Sequence, residues 1–272
     1  MPELAEVETL AGQLNNALSG QTVSNLEVFS DRWLVSGSPA LLAGQKIDSV
    51  ARWGKRLRFS FHNEAQLVSG LGMTGSWLTA SSSHNAVAVL ECQGVKAYYV
   101  DPRRFGRAYI FPSAQQAQEV LGPKIGVDAA LSLDVDQLQQ ALGSGRVTLK
   151  GALLDQSRLS GIGNYLADEI CWSASLSPRL PLSSLSGSDW ERLNSSRLEV
   201  IARALQSQGA SFSDYRHLDG GQGSMQNQLR VYGRSGLPCL RCQAPIEKSV
   251  VAGRGTHSCP QCQALAGNSN TA

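Results

Sequence analysis

No run of about 18 consecutive apolar residues occurs in this 272-residue chain, which excludes a conventional membrane-spanning helix. The opening segment MPELAEVETL carries three acidic residues and no basic one, so a secretory leader is not expected there. No sign of charge dominates: 24 Lys and Arg against 22 Asp and Glu leave a formal net charge of +2, too little to identify a partner by itself. No internal repeat is visible, which argues against a solenoid or propeller. Cysteine is sparse, and four of the six fall into two C-x2-C pairs, a usage that points to metal rather than disulfides. Cys92 and Cys171 stand alone in apolar stretches and read as small buried hydrophobes.

What is present is enough apolar residue (42%) and enough length for two cored domains. Charge is local rather than global. Arg52, Lys55, Arg56 and Arg58 fall close together with no acid between them. Arg230, Arg234, Arg241, Lys248 and Arg254 follow with only Glu247 to offset them. Basic stretches on a balanced chain suit a polyanion held in one groove, although each alone also reads as a solvated face.

The pattern along the chain changes period twice. Leu4, Val7, Leu10, Ala11, Leu14 and Leu18 fall on one helical face. From about 22 to 111 the pattern is that of strands: Leu57, Phe59 and Phe61 alternate with Arg56, Arg58 and Ser60, and AVAVLEC (86–92), VKAYYV (95–100) and RAYIF (107–111) are short and bounded by turn residues. An antiparallel β-sandwich with a leading helix is expected. Residues 112–145 read as a transition with one short helix near 134–142. From 146 to 208 the period is helical again, with a glycine-rich turn, SGIGN, between two helices and a longer helix from about 188 to 208. Residues 217–228 read as a glycine- and glutamine-rich loop, and the small polar tail at 266–272 as disordered.

Cys239, Cys242, Cys259 and Cys262 give C-x2-C, sixteen residues, then C-x2-C. Four thiolates at this spacing can close a tetrahedron around one Zn²⁺, leaving no open coordination position, so the expected role is structural. Arg254 falls at the tip of the hairpin between the two knuckles, in GRGT.

Pro2 follows the initiator methionine. Removal of that residue would expose a secondary amine, and α-amino groups titrate near about 7.7–8.0, so a useful fraction is unprotonated at neutral pH. A secondary amine attacking a sugar C1′ yields an iminium, an electron sink for breaking a neighbouring C–O bond. Glu3, beside it, could move a proton to or from the sugar. Taken alone, Pro2-Glu3 also reads as an ordinary helix start.

Together these motifs resemble those of the formamidopyrimidine-DNA glycosylase/endonuclease VIII family over nearly the whole chain. PELAEVE at 2–8 is similar to the family's PELPEVE, with Ala5 for the second proline. LGMTG at 71–75, DPRRFG at 101–106, GIGN at 161–164, VYGR-x-G-x-PC at 231–239 and GR-x-T…C-P-x-C at 253–262 follow in the family's order. The resemblance implies an α+β architecture. An N-terminal antiparallel β-sandwich flanked by helices (1–125) would carry the chemistry. A helix–two-turn–helix domain (126–230) with a lesion-facing loop near 217–228, and a four-cysteine zinc-finger β-hairpin (231–265), would follow. Double-stranded DNA carrying damaged bases or abasic sites would lie in the cleft, bound by a monomer. The implied location is cytoplasmic, at the nucleoid in a bacterium.

The resemblance also implies roles. Pro2 would be the Schiff-base nucleophile, Glu3 the general acid, Lys55 a phosphate contact that assists β-elimination, and Arg254 an aid to δ-elimination. Asn164 and Arg254 would clamp phosphates around an extruded nucleotide, an action that also suits a helix N-terminus. Met73, Arg103 and Phe105 would fill the void left in the duplex. His84 and Arg146 fall near other family DNA contacts. The implied activity is that of a bifunctional glycosylase and abasic-site lyase acting on oxidised purines. An endonuclease VIII-like preference for oxidised pyrimidines and a non-catalytic lesion binder are the alternatives.

Overall fold

The computed structural model describes residues 2–79, 86–212 and 215–264. His84 and the 266–272 tail lie outside them. The chain forms two compact units, one of Met1–Lys124 with Leu205–Gln226, the other of Ile125–Ala204 with Asn227–Ala272.

The first unit begins with α1 (Leu4–Leu18), which buries all six residues of the apolar face read from the sequence. Among the described residues nine strands follow: β1 (Val23–Val28), β2 (Leu34–Ser36), β3 (Ile47–Trp53), β4 (Arg56–Phe61), β5 (Gln66–Gly70), β6 (Ser76–Leu78), β7 (Ala86–Cys92), β8 (Val95–Val100) and β9 (Arg107–Phe111). They make two sheets, ordered β1-β7-β8-β6 and β2-β9-β5-β4-β3. Neighbours are antiparallel except at one edge, where the short β2 runs parallel to β9. Inward residues of both sheets and of α1 share one core, so this is the expected sandwich. Its centre is aromatic: Trp33, Trp77, Tyr99 and Phe59 lie with ring centroids 5.1–5.9 Å apart in edge-on and tilted pairs, which aromatic quadrupoles favour.

The alternation in β4 places Leu57, Phe59 and Phe61 in this core. In β5 both faces are buried, because Leu67 enters the core while Val68 packs outward with Phe111 against α2 (Ala114–Leu121). That helix is absent from the sequence reading, which treats 112–121 as transition. Only Ala117 and Leu121 of its eight residues are buried, too few to print a helical period, and its start is fixed by the Ser113 hydroxyl accepting the Gln116 N–H.

The second unit contains β10 (Val127–Asp128), α3 (Val135–Leu142), α4 (Leu149–Leu154), β11 (Leu159–Ser160), α5 (Asn164–Ser173), α6 (Gly187–Gln206, its last two residues in the first unit), β12 (Glu247–Val251) and β13 (Arg254–Ser258). β12 and β13 form the hairpin expected between the cysteine pairs. The two lone cysteines are buried, and burial raises both thiols, that of Cys92 to about 11. Among the described residues, no helix is long and apolar enough to cross a membrane.

Candidate DNA-processing site

In the first unit, Pro2 and Glu3 are buried at the start of α1, where Glu3 is the N-cap and forms a reciprocal capping box with Glu6. The Glu3 N–H donates to Glu6 Oε2 at 2.7 Å. α1 lies along β3 in the opposite sense. The Asn15 side chain accepts the Val50 N–H, while further along, Glu8 accepts from Arg52 Nε at 2.6 Å. Contact thus moves toward the helix start as β3 runs toward Lys55, which sits half-buried in the tight β3–β4 turn.

The LGMTG and DPRRFG segments are fastened side by side. The Thr74 hydroxyl donates to Asp101 Oδ1 at 2.5 Å and accepts the Arg103 N–H at 3.3 Å, while the other Asp101 oxygen accepts the Gly106 N–H at 2.7 Å. Gly106 cannot be replaced without displacing something: an added Cβ would stand 1.8 Å from the buried Tyr99 hydroxyl. The polar side chains hold the backbone, and the large ones are left outside. Met73 is 42% exposed and Phe105 50% exposed, with the Arg103 guanidinium 4.7 Å from the Phe105 ring centroid. Exposed apolar tips beside a cation can intrude into a base stack.

In the second unit, Asn164 opens α5, with Gly163 rather than Asn164 as the N-cap. Its amide donates to the Gly255 carbonyl at 2.9 Å, next to the exposed Arg254 at the hairpin tip. The same carbonyl accepts from Lys150 Nζ at 3.0 Å. Lys150 is fully buried, bonded also to Thr256 Oγ1 at 2.9 Å and paired with the equally buried Asp168 at 2.6 Å. The second Asp168 oxygen takes the His257 N–H at 2.8 Å. One ion pair therefore fixes the hairpin tip against α4 and α5. Beside it, the buried Glu169 carboxylate accepts the N–H groups of Arg230, Val231 and Tyr232 at 2.8–3.0 Å, which holds the VYGR segment. The GIGN turn is braced by Gln156, whose amide donates to the Ile162 carbonyl and accepts the Gly161 N–H. Arg146 is exposed just before α4, and among the described residues none links it to this cluster.

The four paired cysteines bring their sulfurs within 4.8 Å of one another. Sulfurs at about 2.3 Å from a tetrahedral zinc would be about 3.8 Å apart, and the Cys239–Cys262 and Cys242–Cys259 separations are 3.9 and 3.4 Å. The donor set fits one structural Zn²⁺. Arg241, between the first two cysteines, stacks 3.9 Å from the Trp172 ring centroid and donates to the Trp172 and Ser173 carbonyls, closing the C-terminal end of α5.

Lys150, Asp168, Glu169 and Glu6 are absent from the sequence-based site. The only sequence trace of the ion pair is a lysine in the apolar run LKGALL and an acidic pair inside the helix YLADEICW.

Residues 1–108 match the family model of the formamidopyrimidine-DNA glycosylase N-terminal domain. Residues 125–216 match that of its H2TH domain, and 236–265 that of a zinc finger found in FPG and IleRS. The formamidopyrimidine-DNA glycosylase of Thermus thermophilus is 38% identical over 97% of this chain and 98% of its own. A structure of the wild-type Lactococcus lactis Fpg (MutM) with DNA containing N7-benzyl-Fapy-dG superposes with a TM-score of 0.89, at 32% identity, over 97% of this chain and 100% of that one. A MutM structure with DNA containing carbocyclic 8-oxo-G superposes with a TM-score of 0.87 at 32% identity, over 97% and 100%.

Proposed function

This chain belongs to the formamidopyrimidine-DNA glycosylase family, and from that premise we propose that it removes oxidised purines from double-stranded DNA and then nicks the strand, through an iminium formed at Pro2. It is a DNA glycosylase of base excision repair with abasic-site lyase activity. The observation that carries the reading is the joint presence, in one unit, of a buried Pro2-Glu3 start, a lysine turn at the near end of β3, and an exposed Met73–Arg103–Phe105 cluster.

The chemistry follows from these groups. A base inside the stack hides C1′, so the nucleotide must be extruded, which costs a few kcal/mol. Met73 and Phe105 occupy the vacated space and Arg103 meets the orphaned base. The Pro2 nitrogen, freed of the initiator methionine, forms a bond to C1′ as the damaged base leaves with the glycosidic electrons. Glu3 supplies the proton that opens the sugar ring. The resulting iminium acidifies C2′, and loss of that proton expels the 3′ phosphate; a second elimination expels the 5′ phosphate. Lys55 contacts phosphate and assists the first elimination, and Arg254 the second. Asn164 and Arg254 hold phosphates beside the extruded nucleotide, and His84 and Arg146 add charge or hydrogen bonds along the backbone. Bound zinc would hold the hairpin that presents Arg254. The enzyme acts as a single chain on DNA in the cytoplasm.

Borohydride reduction of the protein with an abasic-site duplex tests this directly. The wild type should leave a covalent adduct mapping to Pro2 by mass spectrometry, and Pro2→Gly should lose it while still binding the duplex. An adduct at another residue, or none, would overturn the mechanism.

A further inference from the structure

Residues 207–212 and 215–226 are fixed to the amino-terminal helix at several points, and two of them converge on Glu6. This residue is 2% exposed. Its Oε2 accepts the Glu3 N–H at 2.7 Å, its Oε1 accepts the Ala210 N–H at 2.5 Å, and its main-chain carbonyl accepts the Tyr215 hydroxyl at 2.6 Å. The approach is close enough to exclude a side chain at position 209: Gly209 has φ +78°, and an added Cβ would stand 2.7 Å from Glu6 Oε1. Further along α1, Gln13 accepts the Leu218 N–H at 2.9 Å.

The far part of the segment is zipped to the part that Glu6 holds. The Met225 N–H donates to the Gly209 carbonyl at 3.0 Å, and that of Ser224 to the Ser207 carbonyl at 2.9 Å. The Gly223 N–H meets Ser211 Oγ at 3.1 Å, and Gln226 accepts the Ser211 N–H at 3.0 Å. Met225 is fully buried by this arrangement.

A buried carboxylate is tolerated only while donors satisfy its oxygens. Here one oxygen of the planar group accepts from the backbone of Glu3 and the other from the backbone of Ala210. Displacement of either donor must therefore be felt by the other. We propose that Glu6 is a positioning residue that couples the seating of the 207–226 segment to the orientation of Glu3. The segment carries most of the 217–228 loop, which the family resemblance sets against the damaged base, so base excision depends on the link. Nicking of a pre-formed abasic site, which has no base to seat, does not. This rests on the functional reading above.

The test compares single-turnover excision from an 8-oxoguanine duplex with nicking of a pre-formed abasic duplex, using the full chain. Tyr215→Phe removes one hydroxyl and should slow excision roughly tenfold, with nicking and borohydride trapping within about twofold of wild type. Glu6→Gln leaves an amide where two N–H donors converge and should slow excision roughly a hundredfold, with KM little changed. Excision and nicking falling in parallel, or neither falling in Tyr215→Phe, would overturn the coupling even if Glu6→Gln fails to fold. Absence of a trapped adduct in the wild type would instead remove the functional reading itself.

Discussion

In the first unit the LGMTG and DPRRFG loops rest on a broad apolar core, with Trp33, Trp77, Tyr99 and residues from both sheets and α1 beneath them. In the second unit the zinc hairpin rests on a small cluster in which Cys239 and Cys259 stand beside Trp172, Val231, Ala244 and Ile246. The first unit can therefore fix Met73, Arg103 and Phe105 through neutral and carboxylate hydrogen bonds on a base already held by burial. The hairpin cannot, because two strands of five residues bury too little apolar surface to hold a tip in place. A metal and a buried ion pair supply what the core lacks. Precision comes from apolar area in one unit and from ionic and coordination bonds in the other.

The contrast can be broken most sharply by removing the metal. Chelation should unfold the hairpin and lower DNA affinity by more than an order of magnitude, while the melting of the sandwich, followed by the fluorescence of its buried tryptophans, stays in place. Loss of both transitions together would show that the units do not differ in this way. Lys150→Met comes next. It leaves Asp168 buried without its cation, a change that costs roughly 3–5 kcal/mol, and it takes one of two donors from the Gly255 carbonyl and the lysine bond from Thr256 Oγ1. Hydrogen exchange should rise at 254–257 and zinc should be lost more readily; unchanged exchange there would remove the ion pair from the account. The smallest expected effect on stability belongs to Phe105→Ala. The side chain stands half outside the fold, so the unfolding free energy should change by no more than about 1 kcal/mol, while excision falls several-fold. A large loss of stability would place Phe105 in the core rather than at a working tip.

Much of this was legible beforehand, and unevenly. Strands such as β4 announce themselves because burial alternates with the pleat, and α1 because its apolar residues repeat with the helical turn. The zinc ligands are legible because each knuckle is local in sequence. α2 was not, having only two buried residues to carry a period. Asn164 was readable as a helix-start residue, yet Gly163 takes the cap and Asn164 turns its amide to the hairpin instead. Lys150 would pass for a surface lysine on any count of composition.

What the amino-acid sequence determined by itself was the chemistry and the local geometry: an imino acid at position 2, an acid at 3, four thiols at knuckle spacing, and the periods that make helix and strand. What only the tertiary structure decided was which distant groups share one bond partner. The Glu6–Ala210 link spans 204 residues and the Lys150–Thr256 link 106. Contacts at such separations leave no period or spacing in the chain, because the closure of long loops costs entropy that only the assembled core repays.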